Sequence, residues 1–467
     1  MCRLGLLISL GGAFLLARFF SYYRPYKGLF ILDFVSAIIV GILELAFPLA
    51  VNEVIDRLLP TGNWTLILFA CAVLLLIYLL NTGLHYIVTY WGHKLGINIE
   101  TDMRQKLFMH MQKLSFTYYD NHKTGHSISR LTKDLEEIGE VAHHGPEDIF
   151  VAVMTFVGSF VLMLSIHWKL AILSFVVFPF LIVFVIYFNK KMTSTFRKLF
   201  QDVAEINSRI EDSIGGIRVV QAFANEKFEQ EKFLKNNETY RTTKLQSYKI
   251  MAQNIMANYL FMRLLTLFTL IFGTYFVISN ELTYGEFVAF LLLSNVLIGP
   301  IQKISAVIES YPKGIAGFKN YIEILDTQPD IQDAEDAIEM ELNGTIRYNH
   351  VSFRYEGQEP VLKNINFTIQ PKETVAFVGP SGAGKTTICS LLPRFYDVDE
   401  GSITINGIDI REIKLESLRS QIGIVQQDVF LFSGTIRENI KYGNLKASDE
   451  EIMHAARKAQ LGDFLQS

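Results

Sequence analysis

The 467-residue chain has few cysteines and few charged residues. Its cysteines, Cys2, Cys71 and Cys389, are far apart and form neither a metal-binding nor a disulfide pattern. Charged residues make up 19% of the chain, against roughly 25% in an ordinary soluble protein. The formal net charge of −4 gives no reason to expect a nucleic-acid partner. Half of the residues are hydrophobic, and the length indicates more than one domain.

Long apolar runs fill the chain up to residue 304. Most approach the roughly 20 residues that cross the hydrocarbon core of a bilayer, so about six membrane spans are predicted. Buried core helices of a large soluble protein are the alternative, but so many runs favour a membrane. The runs are Gly28–Ala50, Trp64–Tyr86, Ile149–Ser165, Leu170–Phe188, Tyr259–Ser279 and Phe287–Ile304.

The first 17 residues are apolar and are compatible with a signal peptide or a short membrane-surface helix. No convincing cleavage site ends this stretch, and a mis-assigned start codon is a third explanation. Phe19–Lys27 mixes aromatic residues with cations, which suits a helix lying in the membrane interface. We therefore expect residues 1–27 to hold an N-terminal stretch and an interfacial elbow helix.

Two long loops, between the second and third spans and between the fourth and fifth, carry most cations of this region. The positive-inside rule therefore places both loops in the cytosol. Asn189–Ile214 has no Pro or Gly and has helical spacing, so a helix should break at Gly215–Gly216. The first loop should turn around Tyr118–Asp120 and Gly125. Each hairpin tip can dock on a cytosolic domain or remain a solvated turn.

Several polar residues lie within the predicted spans, where their burial is costly. Glu44 is the deepest, and either a translocation pathway or helix packing would explain it. The adjacent His143 and His144 are not assigned to a metal, because neighbouring side chains on a helix diverge. The polar candidates are Asp33, Glu44, Asn81, His85 and Asn295.

The strongest motif is Gly379–Thr387, Gly-Pro-Ser-Gly-Ala-Gly-Lys-Thr-Thr, which has the G-x-x-x-x-G-K-T spacing of a phosphate-binding loop. A strand-type run, Thr374–Val378, precedes it and a helical pattern follows, which is the required setting. Glycines let backbone N–H groups approach phosphate oxygens. Lys385 can neutralise the β- and γ-phosphates, and Thr386 can offer its hydroxyl to Mg²⁺. A glycine-rich turn that carries a lysine is the alternative interpretation.

The helical pattern ends near Leu325, and an acidic segment follows that reads as a linker. The predicted fold class is a multidomain membrane protein, with an all-α six-span transmembrane domain and an α/β P-loop nucleotide-binding domain. The resemblance given below implies a partial α/β P-loop nucleotide-binding domain. Cys389, on the helix after the phosphate loop, is expected to be a reduced core thiol. The strand signals are Gly344–Phe353, Asn366–Ile369, Thr374–Val378, Ser402–Ile405 and Ile422–Val425.

Two further residues are weaker candidates by themselves. Tyr355 precedes the phosphate loop, where an aromatic face can stack on adenine, although an ordinary strand-end tyrosine has the same spacing. Gln427 follows a predicted strand, from which its amide can reach Mg²⁺ and the attacking water.

Together these motifs resemble the half-size ATP-binding-cassette exporters of the multidrug and lipid exporter type. The resemblance covers nearly everything from Phe19 onward and includes the six-span layout. Phe116–Gly125 and Gly216–Phe223 look like the two coupling helices of that family. Tyr355 matches its adenine-stacking position, and Gln427 matches its glutamine loop.

The resemblance implies that the chain binds ATP and Mg²⁺. It also implies a second exporter subunit, identical or different, and a multi-pass position in the plasma membrane with the nucleotide-binding domain in the cytosol. The cargo would be a hydrophobic or amphipathic small molecule or a lipid, exported by alternating access. Thr387 would contact the α-phosphate, and Thr386 and Gln427 would bind Mg²⁺. The full implied site is Tyr355, Gly379, Ser381, Gly382, Ala383, Gly384, Lys385, Thr386, Thr387 and Gln427.

The sequence departs from the family after Asp428. The Leu-Ser-Gly-Gly-Gln signature, the catalytic Glu and the switch His are absent from the residues up to Ser467. No catalytic residue is therefore assigned, and the chain looks like a C-terminally truncated subunit. Either it is an ATPase-coupled exporter whose sequence continues, or it is a regulatory half of a heterodimer that binds nucleotide without hydrolysis. An ATP-gated channel is a weaker option. The expected domains are residues 1–27, 28–326, 327–343 and 344–467.

Overall fold

The computed structural model describes residues 15–122, 124–357, 359–426 and 429–461. The chain divides into two compact units. Unit 1 comprises Met1–Lys113 and His122–Gln328, and unit 2 comprises Leu114–Asn121 and Pro329–Ser467. A short segment between two helices of unit 1 therefore belongs with the C-terminal part of the chain.

Long helices form the described part of unit 1, and α4 is the short helix that belongs to unit 2. The helices in chain order are α1 within residues 15–21, α2 Lys27–Glu53, α3 Trp64–Met111, α4 Phe116–Asn121, α5 Thr124–Leu131, α6 Lys133–Phe175, α7 Val177–Gly215, α8 Ile217–Ala222, α9 Glu226–Ile278, α10 Tyr284–Val296 and α11 Ile298–Asp326.

Six helical segments in the described residues are long and apolar enough to cross a membrane, which confirms the predicted number of spans. Each forms its backbone hydrogen bonds within itself, as a lipid environment requires. Within α6, His167 has extended backbone angles (φ −155°, ψ 101°), and this break falls in the connection expected between Ser165 and Leu170. The segments are Arg24–Thr61, Trp64–Met111, Thr124–Phe175, Val177–Gly215, Glu226–Ile278 and Tyr284–Ile304.

Close helix packing in unit 1 depends on small residues. A Cβ atom at Gly96 of α3 would lie 2.7 Å from the carbonyl oxygen of Gly139 of α6. Glycine at both positions lets the two backbones approach, as is common between membrane helices. Large side chains fill the space between α6, α9 and α10, where Met163, Leu265 and Phe290 are almost fully buried.

The ends of the long helices agree with the sequence prediction. Helix α7 ends at Gly215, and Gly216 is its C-terminal cap, so the predicted break at Gly215–Gly216 is confirmed. Helix α11 ends at Asp326, close to the expected Leu325. Arg18 of α1 donates two hydrogen bonds of 2.9 and 2.8 Å to the Asp326 carboxylate, which ties the N-terminal helix to the end of α11.

Unit 2 is built on a four-stranded antiparallel sheet in the order β2-β1-β3-β4. Alternate residues of β1 point into a core that includes Val351, Phe353 and Leu391. The strands are β1 Ile346–Phe353, β2 Leu362–Ile369, β3 Glu400–Ile405 and β4 Ile408–Asp409. The helices are α12 Lys385–Leu391, α13 Leu415–Arg419, α14 Ile436–Lys441 and α15 Asp449–Lys458.

Two of the predicted strands are wrong in this structure. Thr374–Val378 and Ile422–Val425 are not in the sheet, and Val378 and Val425 are 90% and 99% exposed. A strand needs a neighbour to pair its N–H and C=O groups, and neither segment has one among the described residues. Cys389 is also exposed, so the prediction of a core thiol is wrong as well. Its face of α12 lacks the cover that paired strands would supply.

Candidate nucleotide-binding site

The loop before α12 needs glycine for two physical reasons. Gly382 and Gly384 have φ angles of +80° and +83°, which L-residues with side chains rarely adopt. A Cβ atom at Gly384 would also lie 2.7 Å from Cδ2 of Leu362 on β2. The loop curves tightly, with the Ala383 N–H donating to the Pro380 carbonyl over 3.2 Å. Glycine therefore fixes both the curvature of the loop and its distance from the sheet.

The N-terminus of α12 supplies unpaired hydrogen-bond donors. Gly384 is the N-cap residue and provides no side-chain acceptor for the first N–H groups of the helix. Such groups carry the positive end of the helix dipole and bind anions readily. Lys385 adds a full positive charge, and its Nζ donates to the carbonyls of Gly379 and Pro380 over 3.0 and 2.8 Å. The loop and the helix start thus present N–H donors and a positive charge on an exposed surface.

The two threonines after Lys385 have different surroundings. Thr386 is exposed, whereas Thr387 is 5% exposed. The Thr387 Oγ1 and the Tyr355 hydroxyl lie 3.1 Å apart in a hydrogen bond. The structure therefore brings the candidate adenine-stacking tyrosine to the helix that follows the phosphate loop. Gln427, the remaining site residue, lies outside the described residues.

Tyr355 also belongs to an aromatic cluster. Its ring meets the Phe353 ring edge to face at 5.0 Å and the Tyr396 ring at 5.3 Å between centroids. Such edge contacts hold an aromatic ring in a fixed orientation. Tyr355 is therefore positioned by packing and by its hydroxyl group at the same time.

Tyr396 connects this cluster to α4. Its hydroxyl donates to the Asp120 carboxylate over 2.7 Å, and the Phe116 and Phe395 rings pack at an interplanar angle of 34° with centroids 4.3 Å apart. Burial and the hydrogen bond to Asp120 raise the pKa of Tyr396 above its usual value, so the hydroxyl remains a donor at neutral pH. Two further bonds of 2.7 Å hold the segment: Ser115 Oγ donates to Asp330, and Asn121 Nδ2 donates to Glu356.

The sequence analysis did not identify the Tyr396–Asp120 pair as part of a site. The available signal was an aromatic pair, Phe395–Tyr396, directly after α12. No spacing rule links that pair to Asp120, which lies far earlier in the chain. The sequence left two alternatives for the first hairpin tip, docking on a cytosolic domain or a solvated turn, and α4 lies in unit 2. The second tip, α8, belongs to unit 1.

A large open cavity in unit 2, with a volume of about 1000 Å³, is a poor place for a triphosphate. It lies beside Tyr355 and Tyr396, but carboxylates dominate its charged lining. Negative charges at close range repel phosphate oxygens. The loop at Lys385 therefore stays the candidate for the phosphate-binding part of the site. The lining carboxylates are Asp120, Asp330, Glu356, Asp397 and Asp399.

The chain combines a phosphate loop whose conformation requires glycine with six helices that are long and apolar enough to cross a membrane. An ATP-driven membrane transporter needs both of these parts. The family model described as the ABC transporter transmembrane region matches residues 30–301, and the model described as ABC transporter matches residues 362–467. The first match alone covers more than half of the chain. The chain belongs to the ABC transporter family and is a half-size exporter of that family.

Three curated relatives show the range of this similarity. The chain is 59% identical over 452 residues to the ABC transporter ATP-binding protein YwjA of Bacillus subtilis (strain 168), covering 97% of this chain and 79% of the relative. It is 34% identical over 451 residues to the ATP-dependent lipid A-core flippase of Syntrophus aciditrophicus (strain SB), with 96% and 74% covered. It is 32% identical over 458 residues to the putative multidrug export ATP-binding/permease protein YgaD of Bacillus subtilis (strain 168), with 96% and 79% covered.

These matches confirm several predictions at the level of the family. The chain is a multi-pass membrane protein of a family that carries out ATP-driven export. The ABC transporter domain implies ATP binding. Half-size exporters generally act as dimers on hydrophobic substrates.

Proposed function

We propose that this chain is one subunit of a dimeric exporter that couples ATP, bound at Gly379–Thr387, to the outward movement of a hydrophobic or amphipathic small molecule or lipid by alternating access. The observation that carries the proposal is the connection of the candidate ATP site to α4. That connection runs from Thr387 through Tyr355 and Tyr396 to Asp120, with every contact inside unit 2.

Binding of the triphosphate rests on groups that the loop already presents. Lys385 exchanges its two carbonyl partners for β- and γ-phosphate oxygens, while backbone N–H groups of Ser381–Gly384 and α12 donate to the phosphates. The N–H and hydroxyl of Thr387 face the α-phosphate, and Tyr355 stacks on the adenine. Mg²⁺, when bound, would neutralise phosphate charge, and the exposed Thr386 hydroxyl would hold it. Gln427 is proposed as a further ligand from the resemblance to the family alone, since it lies outside the described residues.

The mechanical step is transmitted through α4. This helix lies in the chain between α3 and α5, so displacement of α4 acts on the ends of the second and third spans. Its side chains are held by Tyr396 and Glu356, and Ser115, just before the helix, is held by Asp330. We propose that a change at the phosphate loop moves this group of contacts and switches the direction in which the spans open.

The same arrangement supports a topology. The helix α4, which lies within the first long loop, shares one unit with the C-terminal residues. This supports placing that loop and the nucleotide-binding domain on the same side of the membrane. The cation-rich loops favour the cytosol for that side, and the proposed location is the plasma membrane. The proposed divisions are an elbow region 1–27, a transmembrane domain 28–326, a linker 327–343 and a nucleotide-binding domain 344–467.

The nature of the cargo is inferred from relatives. One similar protein is named a lipid A-core flippase and another a putative multidrug exporter. Both names fit a substrate that partitions into lipid. ATP-dependent accumulation of a lipophilic dye in inside-out vesicles tests this part of the proposal, and equal accumulation with and without ATP would contradict it.

A substitution of Lys385 tests the ATP site itself. The full chain is purified in lipid nanodiscs, and binding of ATP with Mg²⁺ is measured for the wild type, Lys385→Ala and Lys363→Ala. Lys363 is an exposed lysine on β2 and serves as the matched control. Loss of a charge-assisted contact of about 1.5–3 kcal/mol should weaken ATP binding by Lys385→Ala roughly 10- to 100-fold. Unchanged affinity in Lys385→Ala would refute the site.

A further inference from the structure

Three titratable side chains of unit 1 are buried together, away from the nucleotide site. Asp33 lies on α2, and His143 and Glu147 lie one turn apart on α6. Their side chains are only 3%, 4% and 5% exposed. The His143 Nδ1 lies 3.6 Å from an oxygen of Asp33 and 3.6 Å from an oxygen of Glu147. These separations are too long for hydrogen bonds.

One polar atom of each of the three side chains lacks a hydrogen-bond partner among the described residues. The atoms are Asp33 Oδ1, His143 Nδ1 and Glu147 Oε2. Buried charged groups are normally paired or bound to a metal ion, because loss of hydration is costly. Two buried carboxylates that face one imidazole nitrogen must therefore be neutralised. Either a positive charge lies between them, or the carboxylates carry protons.

The nearest basic groups have other partners. Lys303 Nζ pairs with Asp148 over 2.7 Å, and His144 Nδ1 lies 3.2 Å from the other oxygen of the same carboxylate. The His93 ring lies 4.6 Å from the His143 ring, but its Nδ1 is 2.7 Å from the Thr89 carbonyl. In the part of the chain that the structure describes, neither Lys303 nor His144 is paired with Asp33.

The cluster is held in place by its surroundings. A Cβ atom at Gly92 of α3 would overlap the imidazole of His143, so glycine makes room for the ring. The Tyr23 hydroxyl donates to the Ala142 carbonyl over 2.6 Å, which fixes this turn of α6. The spacing of His143 and Glu147 places both on the face of α6 towards α2. These features define a built site, because its geometry does not depend on flexible surface side chains.

We propose that Asp33, His143 and Glu147 bind a divalent first-row transition-metal ion that fastens α2 to α6. One donor atom of each residue lies within 4.8 Å of the others, as required around an ion with bonds of about 2.0–2.2 Å. Two carboxylates balance the charge of the ion, and the imidazole favours zinc over magnesium or calcium. The sequence analysis expected the side chains of His143 and His144 to diverge, and that prediction is wrong, because their ring centroids lie 4.3 Å apart. His143 also faces a carboxylate of α2, that of Asp33.

The test uses the full chain in lipid nanodiscs, with its affinity tag removed and with bound metal stripped by a chelator. Zn²⁺ is titrated calorimetrically, and retained zinc is counted by elemental analysis. We expect one Zn²⁺ per chain in the wild type. Asp33→Asn, His143→Gln and Glu147→Gln should each weaken Zn²⁺ binding at least about tenfold. Glu140→Gln removes a half-exposed carboxylate from the same helix and should bind Zn²⁺ as the wild type does.

Thermal unfolding supplies a second readout that does not depend on the variants being equally stable. Zn²⁺ should raise the melting temperature of the wild type and of Glu140→Gln, because a ligand that binds the folded state stabilises it. Mg²⁺ at the same concentration should not. A wild type that retains no zinc, or that Zn²⁺ and Mg²⁺ stabilise equally, would overturn the proposal. A metal-stripped wild type whose melting temperature is lower than that of Asp33→Asn and is not raised by Zn²⁺ would also overturn it. That result would mean that protons, and not a metal ion, neutralise the carboxylates of the cluster.

Discussion

The helices of unit 1 and the strands of unit 2 depend on different parts of the sequence. A helix such as α9 pairs its backbone groups within one segment, so a local apolar pattern is enough to predict it. Strand β1 pairs with β2 on one side and β3 on the other, both from later in the chain. Thr374–Val378 has an equally apolar pattern but no partner in the described residues, and it forms no strand. A strand therefore requires a partner as well as a pattern.

Glycine illustrates the same difference between the units. In unit 1, Gly96 is needed because the α6 backbone lies against it, although its own helical conformation suits any residue. In unit 2, Gly384 has a backbone angle that other residues rarely adopt, and it also lies close to the sheet. Alanine should therefore be unfavourable at the two positions for different reasons: a steric clash between helices at residue 96, and backbone strain together with a steric clash at residue 384.

The largest effect is expected in unit 1. Gly96→Ala forces a methyl group against the Gly139 carbonyl and should destabilise unit 1 by about 1–3 kcal/mol. The three tryptophans of the chain all lie in this unit, so their fluorescence during thermal unfolding reports on it specifically. Gly83→Ala, on the same helix with nothing within 4 Å, is the control and should leave the transition unchanged. Equal stability of both variants would show that the close approach of α3 and α6 is unimportant.

The next largest effect is expected at the phosphate loop. Gly384→Ala puts a side chain in the left-handed region, at a cost of about 1–2 kcal/mol, and presses it against Leu362. ATP affinity should fall about tenfold or more, since 1.4 kcal/mol corresponds to a factor of ten. The unfolding of unit 1 should not change.

Gly443→Ala is the matched control for this variant. An added methyl group there makes an ordinary contact at 3.8 Å from the Ile440 carbonyl. ATP binding should therefore be the same as in the wild type. A Gly384→Ala protein that binds ATP normally would show that the loop conformation does not determine the phosphate site.

The smallest effect is expected for Tyr396→Phe, which removes the donor to Asp120 and leaves the ring. Because solvent reaches this pair, the loss should be only about 0.5–1 kcal/mol. ATP binding should be unchanged, while ATP-dependent transport should fall. Tyr442→Phe is the control, because the Tyr442 side chain is 62% exposed and lies outside the proposed connection.

The pH dependence of stability gives an independent test of the same bond. The pKa of Tyr396 is raised in the folded state, so its contribution is fully present below the unfolded value of about 10 and is lost as the pH rises further. Unit 2 of the wild type should therefore lose stability above that pH more steeply than unit 2 of Tyr396→Phe. Parallel curves would mean that neither burial nor the Asp120 contact raises the pKa of Tyr396 in the folded state.

The sequence pattern was sufficient to predict features that depend on interactions between residues close together in the chain. The six spans, the break at Gly215–Gly216 and the end of α11 all follow from periodicity and helix-breaking residues. The phosphate loop was also visible, because its glycines and Lys385 lie close together in the sequence. Its role in binding ATP stays a prediction that the Lys385 experiment tests.

The sequence pattern did not predict contacts between residues that are far apart in the chain. Asp120 and Tyr396 are joined only by the fold, and so are Asp33 and His143. The exposure of Cys389 depends on which segments cover α12, and local sequence does not show that. Pairwise contacts of this kind become visible only when the whole chain has been folded.

The central claim is that ATP at the phosphate loop is mechanically linked to α4, and hydrogen–deuterium exchange of residues 114–121 tests it most directly. The full chain in nanodiscs is compared with and without ATP and Mg²⁺, alongside Lys385→Ala. We predict that ATP changes the exchange of this segment in the wild type and leaves it unchanged in Lys385→Ala. Identical exchange with and without ATP, in a wild-type sample shown to have bound the nucleotide, would contradict the account.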